Sequence, residues 1–578
     1  MKEIKFKSLR SLTAIYLCVP LLIFFWGWLS PLAASAFTLL LSAAVFFLIR
    51  KTDKDDFYIS SMNITWKKLL VVILISVLWC VFAGQGGFIH QSEDHLVRNM
   101  VIKDLVRFPW PVTYPESDSM LCYYIAHWMV PALFGKAAFL ASGSAAAGYA
   151  VCNVVLLIWS SFGCFLTFML FSVMTCRKGR KGVFLSVAIF ILFSGADIIL
   201  ASKGHFDHLE YGARFFQYSS NSTCLFWVYN QAIAAWLATL CILNEKKVKN
   251  FAILALFAFP YAPLPFIGLF LICIARGIII LVKGRKTTKF LHFLGQVFSP
   301  QNLLAALSIG VVFLLYFGSN QIASGGDTGF RLSSAFFDSS GSLRCPTINY
   351  LKNYIFFIFT EFLFLALALF PYKKKDPLFH FTVIALFFIP FIQVGTSIDF
   401  CMRASIPFII YLCTASAACI QKDFPDREEL SSFGKSIKQK PIVLVIAVIL
   451  FGAGLIILFY TPLGEGYITP WHRLILPVLV LAALYVPPFL AKKFPGSKLF
   501  SGAYRPKRKL CYTALIIIVL LGSFTAFIEF RREISATVKF GSNFHYEVDN
   551  TLADKEDYYN FLALGYQDSA FYKYLCKK

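Results

Sequence analysis

Long apolar runs recur along the whole chain with hardly a charge inside them, and short polar stretches separate them. They lie near 11–29, 31–49, 68–84, 146–172, 183–200, 225–244, 250–263, 265–282, 302–318, 351–371, 378–395, 404–420, 441–460, 470–490 and 511–529. A helix needs about 20 predominantly apolar residues to cross a bilayer, so the pattern predicts an all-α, polytopic transmembrane bundle of about fifteen spans. The run 250–282 reads as two short spans, because Tyr261-Ala262-Pro263-Leu264-Pro265 carries two prolines that favour a turn. Lys246, Lys247 and Lys249 precede this run and Lys283, Arg285 and Lys286 follow it. A hairpin returns both basic ends to one side, which a single span cannot do.

Composition agrees. With 58% hydrophobic and only 15% charged residues, against about a quarter charged in soluble proteins, a single soluble globular domain is excluded. The 54 Lys and Arg against 31 Asp and Glu leave a charge of +23, which in a soluble chain would suggest nucleic acid. Here placement decides. With the N-terminus (Lys2, Lys5, Lys7, Arg10) inside, about 35 of the 54 basic residues fall in cytoplasmic segments, as the positive-inside rule expects. No nucleic-acid partner is needed. The first apolar segment leads straight into another span without a small-residue cleavage pattern, so it reads as an uncleaved helix.

The chain then divides into an N-terminal helix pair with a cytoplasmic link (1–65), a core (66–420), C-terminal helices (421–530) and an external tail (531–578). External loops are expected at 85–145, 201–224 and 319–350, with a short segment at 396–403. The fifteen cysteines are scattered, mostly within apolar runs, where a thiol behaves as a small hydrophobe. Cys122, Cys224, Cys345 and Cys401 fall near polar loops and could pair in an oxidising compartment, with no connectivity assignable from sequence.

Candidate chemistry concentrates in three external segments. In the first, Ser92-Glu93-Asp94-His95 opens a helix: Ser92 suits an N-cap, Glu93 and Asp94 suit a first turn, and Arg98 lies four residues beyond Asp94 on the same face. The same residues also suit a solvated helix start with one ion pair. In the second, His205, Asp207, His208, Glu210 and Arg214 mix with aromatics, a combination fit for a sugar or an isoprenoid phosphate and equally for an interfacial aromatic belt. The third places Asp399 and Arg403 at the outer lip of a helix. A cation at that depth must snorkel, pair with Asp399 or meet a ligand phosphate.

His205, Asp207 and His208 near His90 or Asp94 also make a candidate site for a divalent metal, zinc or manganese, although the spacing matches no zinc motif. Gly325-Gly326-Asp327-Thr328-Gly329 reads as a turn. Asn221-Ser222-Thr223 matches a glycosylation acceptor. No phosphate-binding glycine loop is present, which argues against ATP-driven chemistry.

An acidic pair in the first large external loop, directly after a transmembrane helix, resembles the integral-membrane C-class (GT-C) glycosyltransferases. The run Met120 to Trp128 resembles the surface-lying helix that follows in that superfamily. Phe226 to Ile233 and Asp399 to Pro407 resemble runs in bacterial membrane proteins grouped with it. The resemblance covers residues 66 to 420, and the chain departs from the simplest plan by placing two helices before the core. It implies membrane-surface helices in the first loop and transfer of a sugar from a polyprenyl-phosphate donor to a lipid, glycan or protein acceptor outside the cytoplasm of a bacterial cell. Asp94 is then the first choice of base and Glu93 the second. Arg403 and Arg214 would bind the donor phosphate, with Arg98, His95, Asp399, Asp207 and His208 in support. A lipid-linked glycan flippase and an O-antigen polymerase or ligase remain alternatives. The tail from 540 onward is either a lid or a docking segment.

Overall fold

The computed structural model describes residues 2–50, 53–176, 182–199, 208–210, 216–284, 290–320, 330–332, 348–394, 399–423, 508–542, 552 and 561–577. In chain order, α1 (Phe6–Trp28) and α2 (Pro31–Arg50) form an antiparallel pair, and α3 (Trp66–Phe82) leads into the first large loop. That loop contains two helices, α4 (Asp94–Arg107) and α5 (Met129–Ser142). The bundle continues with α6 (Ala145–Thr175), α7 (Gly182–Leu192), α8 (Asn221–Asn244), α9 (Phe251–Ala258) and α10 (Pro263–Gly284). It is completed by α11 (Phe290–Gly318), α12 (Asn353–Lys373), α13 (Pro377–Phe391) and α14 (Asp399–Lys422), then by α15 (Arg508–Phe540) and the short α16 (Ala570–Tyr574).

Among the described residues, nine helices are long and apolar enough to cross a membrane; α7, α9 and α13 are apolar but shorter. The expected segments 441–460 and 470–490 lie outside the described residues. The hairpin expected at 261–265 is present: α9 ends at Ala258, the chain turns through Tyr261, and α10 starts on Pro263. Proline is suited to a first helical turn, where its missing N–H costs nothing.

Two expected helix bounds need correction. The run 183–200 is helical only to Leu192, then unwinds before a single tight turn at Asp197–Ile199. Asp197 is the reason: its buried carboxylate accepts hydroxyls from Ser194 and Thr525, both at 2.8 Å, and those bonds fix a non-helical path. At the other end of the chain, the tail does not begin at 530. Instead α15 continues to Phe540, because Glu529, Arg532 and Glu533 find partners inside the protein.

At the centre stands α8, buried along almost its whole length. Its sequence carries no charge between Asn221 and Asn244, as a helix enclosed on all sides requires. Trp236 of α8 stacks on Trp79 at 5.7 Å between ring centres, with Phe190 edge-on at 5.3 Å. The N-terminal pair packs directly on this core: Tyr16 stacks on Trp159 at 4.3 Å, and Tyr261 donates to Leu17 O at 2.9 Å.

Short strands mark the two ends of the bundle. On one, the N-terminal face, β1 (Lys2–Lys5) pairs antiparallel with β2 (Ser61–Ile64), Lys2 opposite Ile64. Here Asp56 meets Lys247 at 2.8 Å and Lys249 at 2.7 Å. Burial alone would raise its pKa, but the two ammonium groups outweigh burial and hold it down at about 2. On the other, the loop face, β3 (Thr113–Tyr114), β4 (Ser119–Leu121), β5 (Phe330–Leu332), β6 (Ile392–Val394) and β7 (Leu562–Leu564) form a three-stranded sheet β3-β4-β7 and a pair β5-β6. The 23 residues of α1, about 34 Å of helix, separate the two faces.

The C-terminal segment 561–577 docks on the loop face. Its strand β7 pairs with β4, Lys577 N donates to Trp28 O at 2.8 Å, and Phe571 is buried against Tyr316. The run Met120 to Trp128, expected as a helix, is instead the end of β4, a bend and one tight turn. Pairing of Leu121 with Leu562 commits its start to sheet. Asn221 is 2% exposed and its amide bonds Phe190 O at 2.9 Å, so the glycosylation-like triplet is sealed inside the bundle. Cys122, Cys224 and Cys401 are buried free thiols; Cys345 lies outside the described residues.

Candidate functional site

Three helix starts converge on the loop face: α4, α8 and α14. The Ser220 hydroxyl caps α8 by accepting Thr223 N at 2.9 Å, and the Glu210 carboxylate accepts Ser220 N at 2.8 Å. A kink at Val228 (φ −137°, ψ 38°) interrupts the hydrogen-bond ladder of α8, which frees the Phe226 carbonyl for other donors. His95 takes it at 3.0 Å and Ser92 at 3.4 Å, joining the start of α4 to α8. Ser92 is therefore not the N-cap; Glu93 holds that position without a side-chain cap bond, and Asp94 opens the helix.

Between these helix starts lies a cavity of ≈ 340 Å³ whose lining includes Asp94, His208, Gln217, Trp227, Asp399 and Arg403. The structure thus brings together four candidates from segments far apart in sequence. Asp94 pairs with Arg98 at 2.9 Å, the expected i,i+4 contact, and its side chain remains 42% exposed. The Arg98 guanidinium is buried, with Nε and Nη1 lacking a partner. Arg403 pairs with Asp399 at 3.1 Å, again the expected contact, and donates to the Tyr124 hydroxyl at 3.0 Å. Its Nε is buried without a partner.

Glu93 is exposed and outside the cavity lining. His95 is enclosed between the Phe226 carbonyl and the Tyr229 ring, 5.3 Å away. Burial, then the Arg98 charge, pull its pKa down to about 3, so at neutral pH it is an uncharged packing element. Arg214 and Asp207, with His205, lie outside the described residues.

His208 forms the far wall. Its Nδ1 donates to Glu529 at 2.7 Å, while Nε2 lies 4.0 Å from Glu210. Burial disfavours the imidazolium, but the Glu529 hydrogen bond and the charges of Glu529 and Glu210 outweigh it, and the pKa of His208 is raised. Glu210, buried and bonded by Gln217 and Ser220, is pushed up to about 7, chiefly by desolvation. Glu529 also accepts the Trp227 indole at 2.9 Å and Arg532 at 2.7 Å. Arg532 lies 4.8 Å over the Trp227 ring and bonds Glu533 at 2.7 Å, and Glu533 accepts from His90 at 2.9 Å. A continuous string of ionisable groups therefore runs along α15 beside the cavity.

Sequence reasoning missed Glu529, Arg532 and Glu533 because they follow an apolar run and look like its solvated exit. The usable signal was Glu529-Phe530-Arg531-Arg532-Glu533, whose i, i+3, i+4 spacing puts three of these charges on one helix face. Tyr124, the partner of Arg403, carried no signal.

Among the described residues, no three His, Cys, Asp or Glu side chains are grouped to hold a metal. His90 and His208, the described histidines of the expected metal set, each face a glutamate of α15 instead. What the lining offers is a half-exposed carboxylate able to accept a proton, an arginine with a spare donor for an anion, and an oriented imidazole.

Comparison with family models, with curated proteins and with solved structures gives no match. Fold and site define a class: an all-α polytopic membrane protein with a charged, partly enclosed cavity on its loop face.

Proposed function

We propose that the protein is a membrane glycosyltransferase of the C-class type that transfers a sugar from a polyprenyl-phosphate donor to a lipid, glycan or protein acceptor. The observation that carries this reading is the meeting of Asp94 with Arg403 in one loop-face cavity. In the proposed orientation, with about fifteen spans in a bacterial cytoplasmic membrane, the basic N-terminal face is cytoplasmic and the cavity extracytoplasmic. The acceptor hydroxyl oxygen attacks the anomeric carbon, and the bond from that carbon to the phosphate oxygen breaks. Asp94 takes the hydroxyl proton, and the polyprenyl phosphate leaves with the bonding electrons. Arg403, through its spare Nε donor, stabilises the departing phosphate. Arg214 is the second proposed phosphate partner. Arg98 orients Asp94, Asp399 orients Arg403, and His208 supports the far wall. A volume of ≈ 340 Å³ suits a sugar-phosphate headgroup, with the lipid chain outside between helices.

A second reading, transport of a lipid-linked glycan coupled to protons, draws on one observation. Asp197 and Glu361 hydrogen-bond each other within the bundle near Glu210, and all three are buried. Intramembrane carboxylates of this kind serve proton relays in transporters.

The two readings separate in one experiment. The purified chain in liposomes is given a radiolabelled polyprenyl-phosphate sugar and a mixed acceptor extract. Transfer into new glycosidic bonds, with Arg403→Ala raising the half-saturating donor concentration about tenfold or more, supports the transferase. Donor crossing the bilayer with no new glycosidic bond refutes it in favour of transport.

A further inference from the structure

A second cavity, of ≈ 540 Å³, opens on the N-terminal face. Helices α8 and α14 serve both cavities at opposite ends. The loop-face cavity takes Thr223 to Val228 from the first turns of α8, whereas this one takes Leu243 and Asn244 from its last, roughly 25 Å further along. Four cations line it, Arg276, Lys283, Lys373 and Lys375, against one carboxylate, Asp376.

Neither Arg276 nor Asp376 is available to a ligand in full. The Arg276 guanidinium bonds the Ile242 and Glu245 carbonyls where α8 ends. Asp376 accepts the Tyr411 hydroxyl at 2.8 Å and Leu378 N at 3.1 Å, with Lys373 at 3.6 Å. Lys283 and Lys375 make no ion pair among the described residues. The cavity thus keeps a net positive charge, and the cations left without an ion pair or a carbonyl partner among the described residues are the exposed Lys283 and Lys375.

Below those lysines the wall sets apolar side chains, Ile279, Ile280, Met174 and Leu378, beside the already engaged Arg276. Arg276, Ile279, Ile280 and Lys283 follow i, i+3, i+4, i+7 spacing, so with Arg276 held by the Ile242 and Glu245 carbonyls, the part of this α10 face left to a ligand runs from isoleucine to the exposed Lys283. Lys283 closes α10, and Lys373 and Lys375 end and follow α12, at the level where apolar helices exit hydrocarbon. Tyr58, Tyr372 and Tyr411 surround them, as tyrosines do at headgroup depth. A soluble anion would need the cations alone, whereas the graded wall matches an amphiphile.

We propose that this cavity seats the phosphate headgroup of an anionic membrane lipid, with Lys283 and Lys375 as its charged clamp and α10 guiding the start of the acyl chains. The site is independent of the chemistry proposed for the loop face.

The full chain is reconstituted in nanodiscs of phosphatidylglycerol and phosphatidylcholine in equal amounts, and lipids retained by the protein are counted by native mass spectrometry. Wild type is expected to retain phosphatidylglycerol in preference. Lys283→Gln and Lys375→Gln, both at exposed positions, each lower that retention about fivefold. Lys5→Gln, on the same face but in β1, leaves it unchanged. Equal retention of both lipids, or an equal effect of Lys5→Gln, overturns the proposal. So does inorganic phosphate binding, read by phosphorus NMR and lost in Lys283→Gln, with no lipid retained.

Discussion

Asp94 and Glu529 are carboxylates beside neighbouring walls of one cavity, and their surroundings divide their roles. Asp94 is half-exposed with one arginine partner, so it can exchange a proton with a ligand. Glu529 is buried under three donors, from His208, Trp227 and Arg532, and serves to hold His208. The pKa of His208 is raised, so its protonation stabilises the fold fully below the unfolded value of about 6.5, and that contribution is lost as pH rises through the folded value. Glu210 acts in the same direction at lower pH: raised to about 7, its contribution is full below the unfolded value of about 4.3 and is lost by about 7. The thermal midpoint should therefore fall as pH is raised from about 4.3 through neutral and beyond, and His208→Gln should flatten the part of that fall above about 6.5. A midpoint with the same pH slope in His208→Gln would show that His208 does not titrate there.

The elements show why part of the site could be read from sequence and part could not. Asp94–Arg98 and Asp399–Arg403 are i,i+4 pairs within single helices, so residue spacing alone places them together. Trp227 and Glu529 meet across 302 residues, and only the packing of α15 against α8 joins them. The apolar runs marked the helices well, because lipid demands length and composition. Helix ends were less legible wherever a buried polar group set them, as Asp197 does after α7 and as Glu529 to Glu533 do along α15. Helix contacts also rest on single small residues. Gly268 of α10 lies directly against the Ala404 carbonyl, next to Arg403 on α14. Gly268→Ala places a methyl group against backbone that cannot rotate away, costing about 1–3 kcal/mol and shifting the turn that holds Arg403. The expected result is a lower thermal midpoint together with a weaker donor affinity. Unchanged values of both would mean that α10 and α14 have room to separate.

Across the whole molecule, two faces carry different electrostatics on one buried frame. Arg10 of α1 and Glu245 after α8 meet at 2.7 Å with both side chains fully buried, and Arg10 also donates to Leu48 O at 2.8 Å. That pair ties the N-terminal helices to the central helix at the basic face, while the C-terminal strand β7 closes the loop face over Tyr123, whose ring lies 4.1 Å from Phe561. The two proposals therefore fall on opposite faces: sugar transfer on the loop face and anionic-lipid binding on the other. Asp94 is the proposed proton acceptor in sugar transfer, and single-turnover transfer by the purified chain, wild type beside Asp94→Asn, is the decisive measurement. The substitution removes one partly exposed ion pair, worth about 1 kcal/mol or less, so the fold should be retained. Donor binding equal to wild type is expected, with transfer slowed about 100- to 10,000-fold. Transfer by Asp94→Asn at the wild-type rate would contradict it.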